Sequence, residues 1–181
     1  MGESLWFASR AGGLVALVLL TGTFVLGLLT SGRYATVAWP RFTIALLHRN
    51  LSLLTVVFLA VHIVTAVVDG YVSIGWIDVV VPFVSGYQPF WLGLGALAVD
   101  VLVALVVTSS LRARIRPGVW RAVHWLAYAC WPVALVHGLG MGTDLWWVWV
   151  VDAVCLAAVL GALVWRARRT HPDTVARVGV R

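Results

Sequence analysis

Apolar residues run in five long stretches, 11–30, 41–68, 90–110, 120–139 and 145–164, separated by short connections that are polar or broken by glycine and proline. A helix of about 20 apolar residues crosses a hydrocarbon core of roughly 30 Å, so each stretch predicts one membrane span. The first has Glu3 and Arg10 before it instead of a basic leader, with no small-residue cleavage site, and so reads as a span and not as a signal sequence. The connection 69–89 is also apolar, but Gly70, Pro82, Gly86 and Pro89 cut it into pieces too short to cross. It predicts a segment in the membrane interface, anchored by Trp76, Tyr87 and Trp91 and able to lid the bundle. The fold class is an all-α integral membrane bundle of five helices in one domain, residues 1–169, followed by a polar cytoplasmic tail, 170–181.

Composition agrees with that pattern. Of the 181 residues, 62% are hydrophobic and 11% charged, at a mean hydropathy of +0.98, whereas about a quarter of a soluble domain is charged. All 13 basic residues are arginines, and the formal charge is +6. Their clustering beside apolar stretches argues for orientation of the chain and against nucleic-acid binding. Arg33, Arg41 and Arg49 lie around the first connection, Arg112, Arg114, Arg116 and Arg121 around the third, and Arg166, Arg168 and Arg169 after the last stretch. The connections 69–89 and 138–144 contain none, so the N-terminus is expected outside and the C-terminus in the cytoplasm of a bacterial-type inner or plasma membrane. Cys130 and Cys155 lack a metal-type or disulfide spacing and read as small buried residues.

Candidate chemistry lies in four histidines. His48 and His62 are fourteen positions apart in the second stretch, which in a helix sets them about 21 Å apart on one face. His124 and His137 repeat this in the fourth stretch, thirteen apart. Both stretches run from inside to outside, so His48 matches His124 in depth near the cytoplasm and His62 matches His137 near the outside. The thirteen-residue offset turns through about 1300°, short of four full turns, and Pro132 is expected to kink or rewind the helix and realign the rings. Polar side chains in a span are costly and mark function. Imidazole is a good axial ligand, and a bundle core can clamp a macrocycle between facing helices, so the expected cofactors are two haem b groups, each on a histidine pair.

With these offsets the chain resembles the ferric reductase-like transmembrane domain superfamily, which includes NADPH oxidases, ferric reductases and the haem subunit of the periplasmic methionine sulfoxide reductase system. The resemblance rests on "LHRNLSLLTVVFLAVH" and "WRAVHWLAYACWPVALVH" with "VPFVSGYQPFWLGLGALAVDVLVALVVTSSLR" between them, and it covers residues 10–166. It implies an inner haem on His48 and His124, an outer haem on His62 and His137, and electrons passed outward one at a time. No flavin and nicotinamide domain follows the last stretch here, so the expected donor is a separate flavoprotein reductase or a quinol. Where NADPH oxidases place a further histidine one turn beyond the outer ligand, this chain has Ala66, and dedicated superoxide production is not expected.

The expected role is that of an oxidoreductase component with membrane lipid around it and a ferric chelate, a secreted flavoprotein or a methionine sulfoxide reductase as acceptor. Alternatives are a quinol-oxidising cytochrome b anchor of a larger dehydrogenase and a non-catalytic haem-binding assembly or sensor protein; a transporter is the weakest reading. Arg49, Arg121 and Arg41 are candidate partners for haem propionates, with Arg49 foremost. Asp100 and Asp152 read as structural acids, neutral or hydrogen-bonded to a neighbouring helix, ahead of the alternative that they belong to a proton path. Trp131 and Phe58 fall between the two histidine levels, Trp146, Trp147 and Trp149 read as an interfacial belt, and His171 in the tail carries no expected role.

Overall fold

Among the described residues seven helices form because apolar and leucine-rich runs fill almost every position between the breakers. The structure, a computed structural model, describes residues 2–69, 72–142 and 146–168. The helices are α1 (Gly2–Ser31), α2 (Arg41–Val68), α3 (Trp76–Val80), α4 (Pro89–Ser110), α5 (Pro117–Trp125), α6 (Ala127–Met141) and α7 (Trp146–Arg168), with no strand among the described residues. Prolines sit where they start helices: Pro89 and Pro117 occupy the first turns of α4 and α5, where a missing N–H costs nothing. Among the described residues five segments are long and apolar enough to cross a membrane, Ser4–Ser31, Arg41–Val68, Pro89–Ser110, Pro117–Met141 and Trp146–Arg168. The predicted spans are thus all present, and the chain is a multi-pass membrane protein. The tail 170–181 with His171, Arg169 and the start of the fifth stretch at residue 145 lie outside the described residues.

Five crossings put the two ends of the described chain on opposite sides of the bundle, here called the N-side and the C-side. α1 begins well before its apolar stretch, and Arg10 is accommodated there by stacking over Trp6 at 4.5 Å. α1 is the central helix and packs on α2, α6 and α7, while α4 packs on α6 and carries the short α3. Leu17 of α1, Trp131 and Leu135 of α6, and Cys155 and Val159 of α7 make the buried core. The Trp131 indole N–H donates to the Thr21 hydroxyl at 2.9 Å, and that hydroxyl donates to the Leu17 carbonyl at 2.8 Å. Trp131 therefore cross-links α6 to α1.

The fourth span is interrupted, but not at the expected residue. Pro132 lies inside α6, and the break falls at Leu126, whose N–H bonds back to the Val123 carbonyl at 2.9 Å and whose carbonyl takes the Ala129 N–H at 3.0 Å. These are three-residue turns, which rotate about 120° per residue instead of 100°. Pro132 crowds the carbonyl four positions earlier, at Tyr128, and the chain tightens just before that point. The local rewinding recovers part of the rotation that a thirteen-residue offset lacks.

Candidate functional site

α2 faces α5 and α6 across a slot in which imidazole rings meet. His48 and His124 stand with ring centroids 6.3 Å apart at an interplanar angle of 69°, and His62 and His137 stand 6.4 Å apart at 75°. The structure therefore brings together the two pairs expected from depth, one towards each side of the bundle. Two imidazoles on opposite sides of one first-row metal, each with its nitrogen about 2.0 Å from the ion and its centroid about 1.2 Å further back, have centroids about 6.4 Å apart. Among the described residues no three His, Cys, Asp or Glu side chains converge into a metal cluster. The protein thus offers two donors at each level.

Three of the four rings are held in the same way. His62 Nδ1–H donates to the Ser9 carbonyl at 2.7 Å, His48 Nδ1–H to the Thr23 carbonyl at 2.9 Å and His137 Nδ1–H to the Trp91 carbonyl at 2.8 Å. A proton held at Nδ1 leaves the lone pair on Nε2, the form that binds a metal, and fixes the ring about its axis.

Each accepting carbonyl lies four residues before a glycine: Ser9 and Gly13, Thr23 and Gly27, Trp91 and Gly95. The residue four ahead in a helix stands beside that carbonyl, so its side chain decides whether a ring from another helix can enter. A Cβ on Gly95 would lie 2.6 Å from His137 Cε1, one on Gly13 would lie 2.9 Å from His62 Nδ1, and one on Gly27 would only touch His48 Cε1 at 3.4 Å. Backbone carbonyls leave no mark in a sequence; the glycines, which lie within otherwise apolar helices, are the signal beside them, and the sequence reading missed these positions against the rings.

His124 is held differently. It stacks on Trp120, one turn earlier on α5, at 4.8 Å and 22°, and Trp120 in turn carries Arg112 over its outer face at 4.2 Å. Its Nδ1 is buried and has no hydrogen-bond partner among the described residues. Arg41, Arg49 and Arg121 all lie towards the C-side and are exposed, with Arg49 next to His48 and Arg121 three residues before His124.

On the N-side a cavity of about 400 Å3 lies against His62 and His137. Gly13, Gly95 and Asp152 also line it, and α3 closes part of it with Asp78 and Val79. Trp76 and Tyr87 of this connection are exposed as interfacial anchors should be, but Trp91 is not such an anchor. Its indole packs on Gly140 too closely for any Cβ there, and its carbonyl holds His137, because one turn of α4 faces α6 and not lipid. Of the two intramembrane acids, Asp100 is exposed on the surface of α4 and Asp152 is 4% exposed.

Comparison with known proteins identifies a family for the chain. No curated protein and no solved structure matches the chain. The family model described as "Ferric reductase like transmembrane component" matches residues 12–135, more than half of the 181 residues, and takes in His48, His62, His124 and the three glycines beside the rings. The chain belongs to the ferric reductase-like transmembrane family, whose membership supports a role in membrane electron transfer as an oxidoreductase component.

Proposed function

We propose that this protein is a two-haem b electron conduit, built from residues 1–169, with one haem on His48 and His124 and the other on His62 and His137. The observation that carries the reading is the repeat of one geometry at two depths: facing imidazoles 6.3 and 6.4 Å apart, the span that one iron between them requires. Two protein ligands at each level leave four positions round a six-coordinate iron, the number a porphyrin supplies. The haem iron, when bound, exchanges one electron at a time.

The chain's own residues do the rest. Nε2 of each histidine binds, and the Nδ1–H bonds to Ser9, Thr23 and Trp91 keep three of the rings in that tautomer. Gly13 and Gly95 leave room for the rings to reach those carbonyls. With two histidines holding each haem, an acceptor would find no open ligand position, and electrons would pass to it without its binding the iron. Arg49, with Arg41 and Arg121, pairs with the propionates of the C-side haem.

The arginine distribution makes the C-side cytoplasmic and the N-side the exit. The donor is a separate flavoprotein reductase or a quinol, and the acceptor an extracytoplasmic ferric chelate, flavoprotein or methionine sulfoxide reductase. The test is an optical redox titration of the purified protein in detergent, with haem quantified per chain. Two low-spin b centres are expected. Protein made with ample haem supply that carries no haem overturns the reading.

A further inference from the structure

Asp152 is a buried carboxyl whose chemistry the conduit does not use. It lies on α7, 4% exposed, six residues in from Trp146, and both its carboxyl oxygens lack a hydrogen-bond partner among the described residues. The neighbouring-helix bond expected of a structural acid is not formed. Instead the side chain lines the cavity that holds His62 and His137.

The other titratable and charged groups on that cavity are accounted for. α1 contributes Arg10, whose guanidinium lies over Trp6 at 4.5 Å. α2 and α6 contribute His62 and His137, whose Nδ1 protons are committed to carbonyls. α6 adds Cys130, whose thiol donates to the Ala98 carbonyl at 3.5 Å, and α3 adds Asp78, whose carboxylate accepts the Gly75 N–H at 2.8 Å. The residues that α4 gives to the cavity are apolar, and on α7 itself Cys155 is buried in the core cluster. Asp152 is left as the group with two uncommitted oxygens.

An unpaired carboxylate in an apolar wall needs a positive charge or a proton to offset it. An oxidised metal centre held by His62 and His137, which line the same cavity, would supply the first. When an electron arrives there, that offset disappears, and the low dielectric makes the remaining negative charges repel strongly.

Resting on the two-haem reading, we propose that Asp152 is the proton-exchanging group of the N-side half. As one electron reaches the N-side centre from the C-side one, the carboxylate takes one proton from the N-side aqueous phase, forming one O–H bond. It returns that proton when the electron leaves for the acceptor, so the charge of this half is the same before and after each transfer.

The experiment is a spectroelectrochemical titration of the full-length, haem-loaded protein across about pH 5 to 9, the N-side centre being identified as the one His62→Ala removes. In wild type its midpoint potential is expected to fall with rising pH. Each tenfold change in proton concentration shifts the equilibrium up to tenfold, about 59 mV for one electron. Asp152→Asn is expected to abolish that dependence while the C-side potential stays put, Asp152→Glu to restore it, and Asp78→Asn to leave it unchanged. A pH-independent wild-type potential, or an Asp152→Asn protein with the wild-type slope, overturns the proposal while leaving two haems in place; protein without haem overturns both readings. Should Asp152→Asn fail to load the N-side haem, infrared difference spectra of wild type decide. A protonated-carboxyl band that grows on reduction and shifts in D2O supports the proposal, and its absence overturns it.

Discussion

The two histidine pairs are alike in ring separation and unlike in how the rings are held. On the N-side both rings donate across a helix interface to a carbonyl, and both meet a glycine that no larger residue could replace without displacement. On the C-side only His48 is tethered in this way, and its glycine leaves some slack. His124 sits on the nine-residue α5, steadied by Trp120 of its own helix, with a buried Nδ1 left unpaired. One pair is thus set by tertiary contacts from α1 and α4, the other half by tertiary and half by local ones. A tightly clamped pair resists reorganisation, and a looser one tolerates adjustment.

On the proposed two-haem reading, from which each of the following expectations is drawn, the largest effect comes from removing a proposed ligand. His62→Ala should lose the N-side haem and about half of the haem absorbance, with the C-side spectrum retained, and His48→Ala should do the converse. Pyridine haemochrome quantification per chain checks both. Loss of all haem from either variant would mean that the two levels are not independent sites.

The glycines sharpen the comparison next. Gly95→Ala forces a Cβ to 2.6 Å from the His137 ring, and overpacking of this kind costs about 1–3 kcal/mol, or roughly five- to 150-fold in haem retention on the N-side. Gly13→Ala at 2.9 Å should follow, and Gly27→Ala, in ordinary contact at 3.4 Å, should leave the C-side haem nearly intact. Haem-transfer rates to an apo acceptor protein in excess rank the three. An equal response from all of them would show that the glycines serve helix packing and not the rings.

Much of this arrangement was legible in the residues, and the reasons for the misses are physical. Five spans and the pairing of His48 with His124 and His62 with His137 follow from apolar run length, histidine offsets and alternating helix direction. The carbonyls of Ser9, Thr23 and Trp91 could not be read, because every residue has one; only the glycine four positions on betrays them. Trp91 was misread as an interfacial anchor because tryptophan near a span end usually is one, and only the α4–α6 packing turns it inward. Pro132 rightly signalled a disturbed fourth span, but its steric effect falls on the preceding turn, so the break appears at Leu126. The isolation of Asp152 depends on what α1 and α6 fail to offer it, which no pattern within α7 records.

Trp120→Leu tests the looser half directly. It removes the stack on His124, an aromatic contact worth about 0.5–1.5 kcal/mol, and with it the perch of Arg112. The C-side haem should dissociate roughly three- to tenfold faster and its low-spin signal should broaden, while the N-side signal keeps its width. Electron paramagnetic resonance of the oxidised protein separates the two. Broadening of both signals would assign Trp120 to the bundle as a whole.

The smallest effect belongs to Arg49. It stands next to His48 on the exposed side of α2, and solvent-accessible charge pairs are worth about 0–1 kcal/mol. If it pairs with a C-side propionate, Arg49→Gln withdraws a positive charge from beside that centre, and an added electron becomes less welcome there. The C-side midpoint potential should then fall by up to roughly 40 mV, by less in high salt, with the N-side potential unmoved. A histidine tether would not respond to salt in this way, since a buried Nδ1–H bond is insensitive to ionic strength. A salt-independent shift would therefore trace to movement of His48 along α2, and an equal shift at both centres would trace to the field of the C-side arginine cluster as a whole.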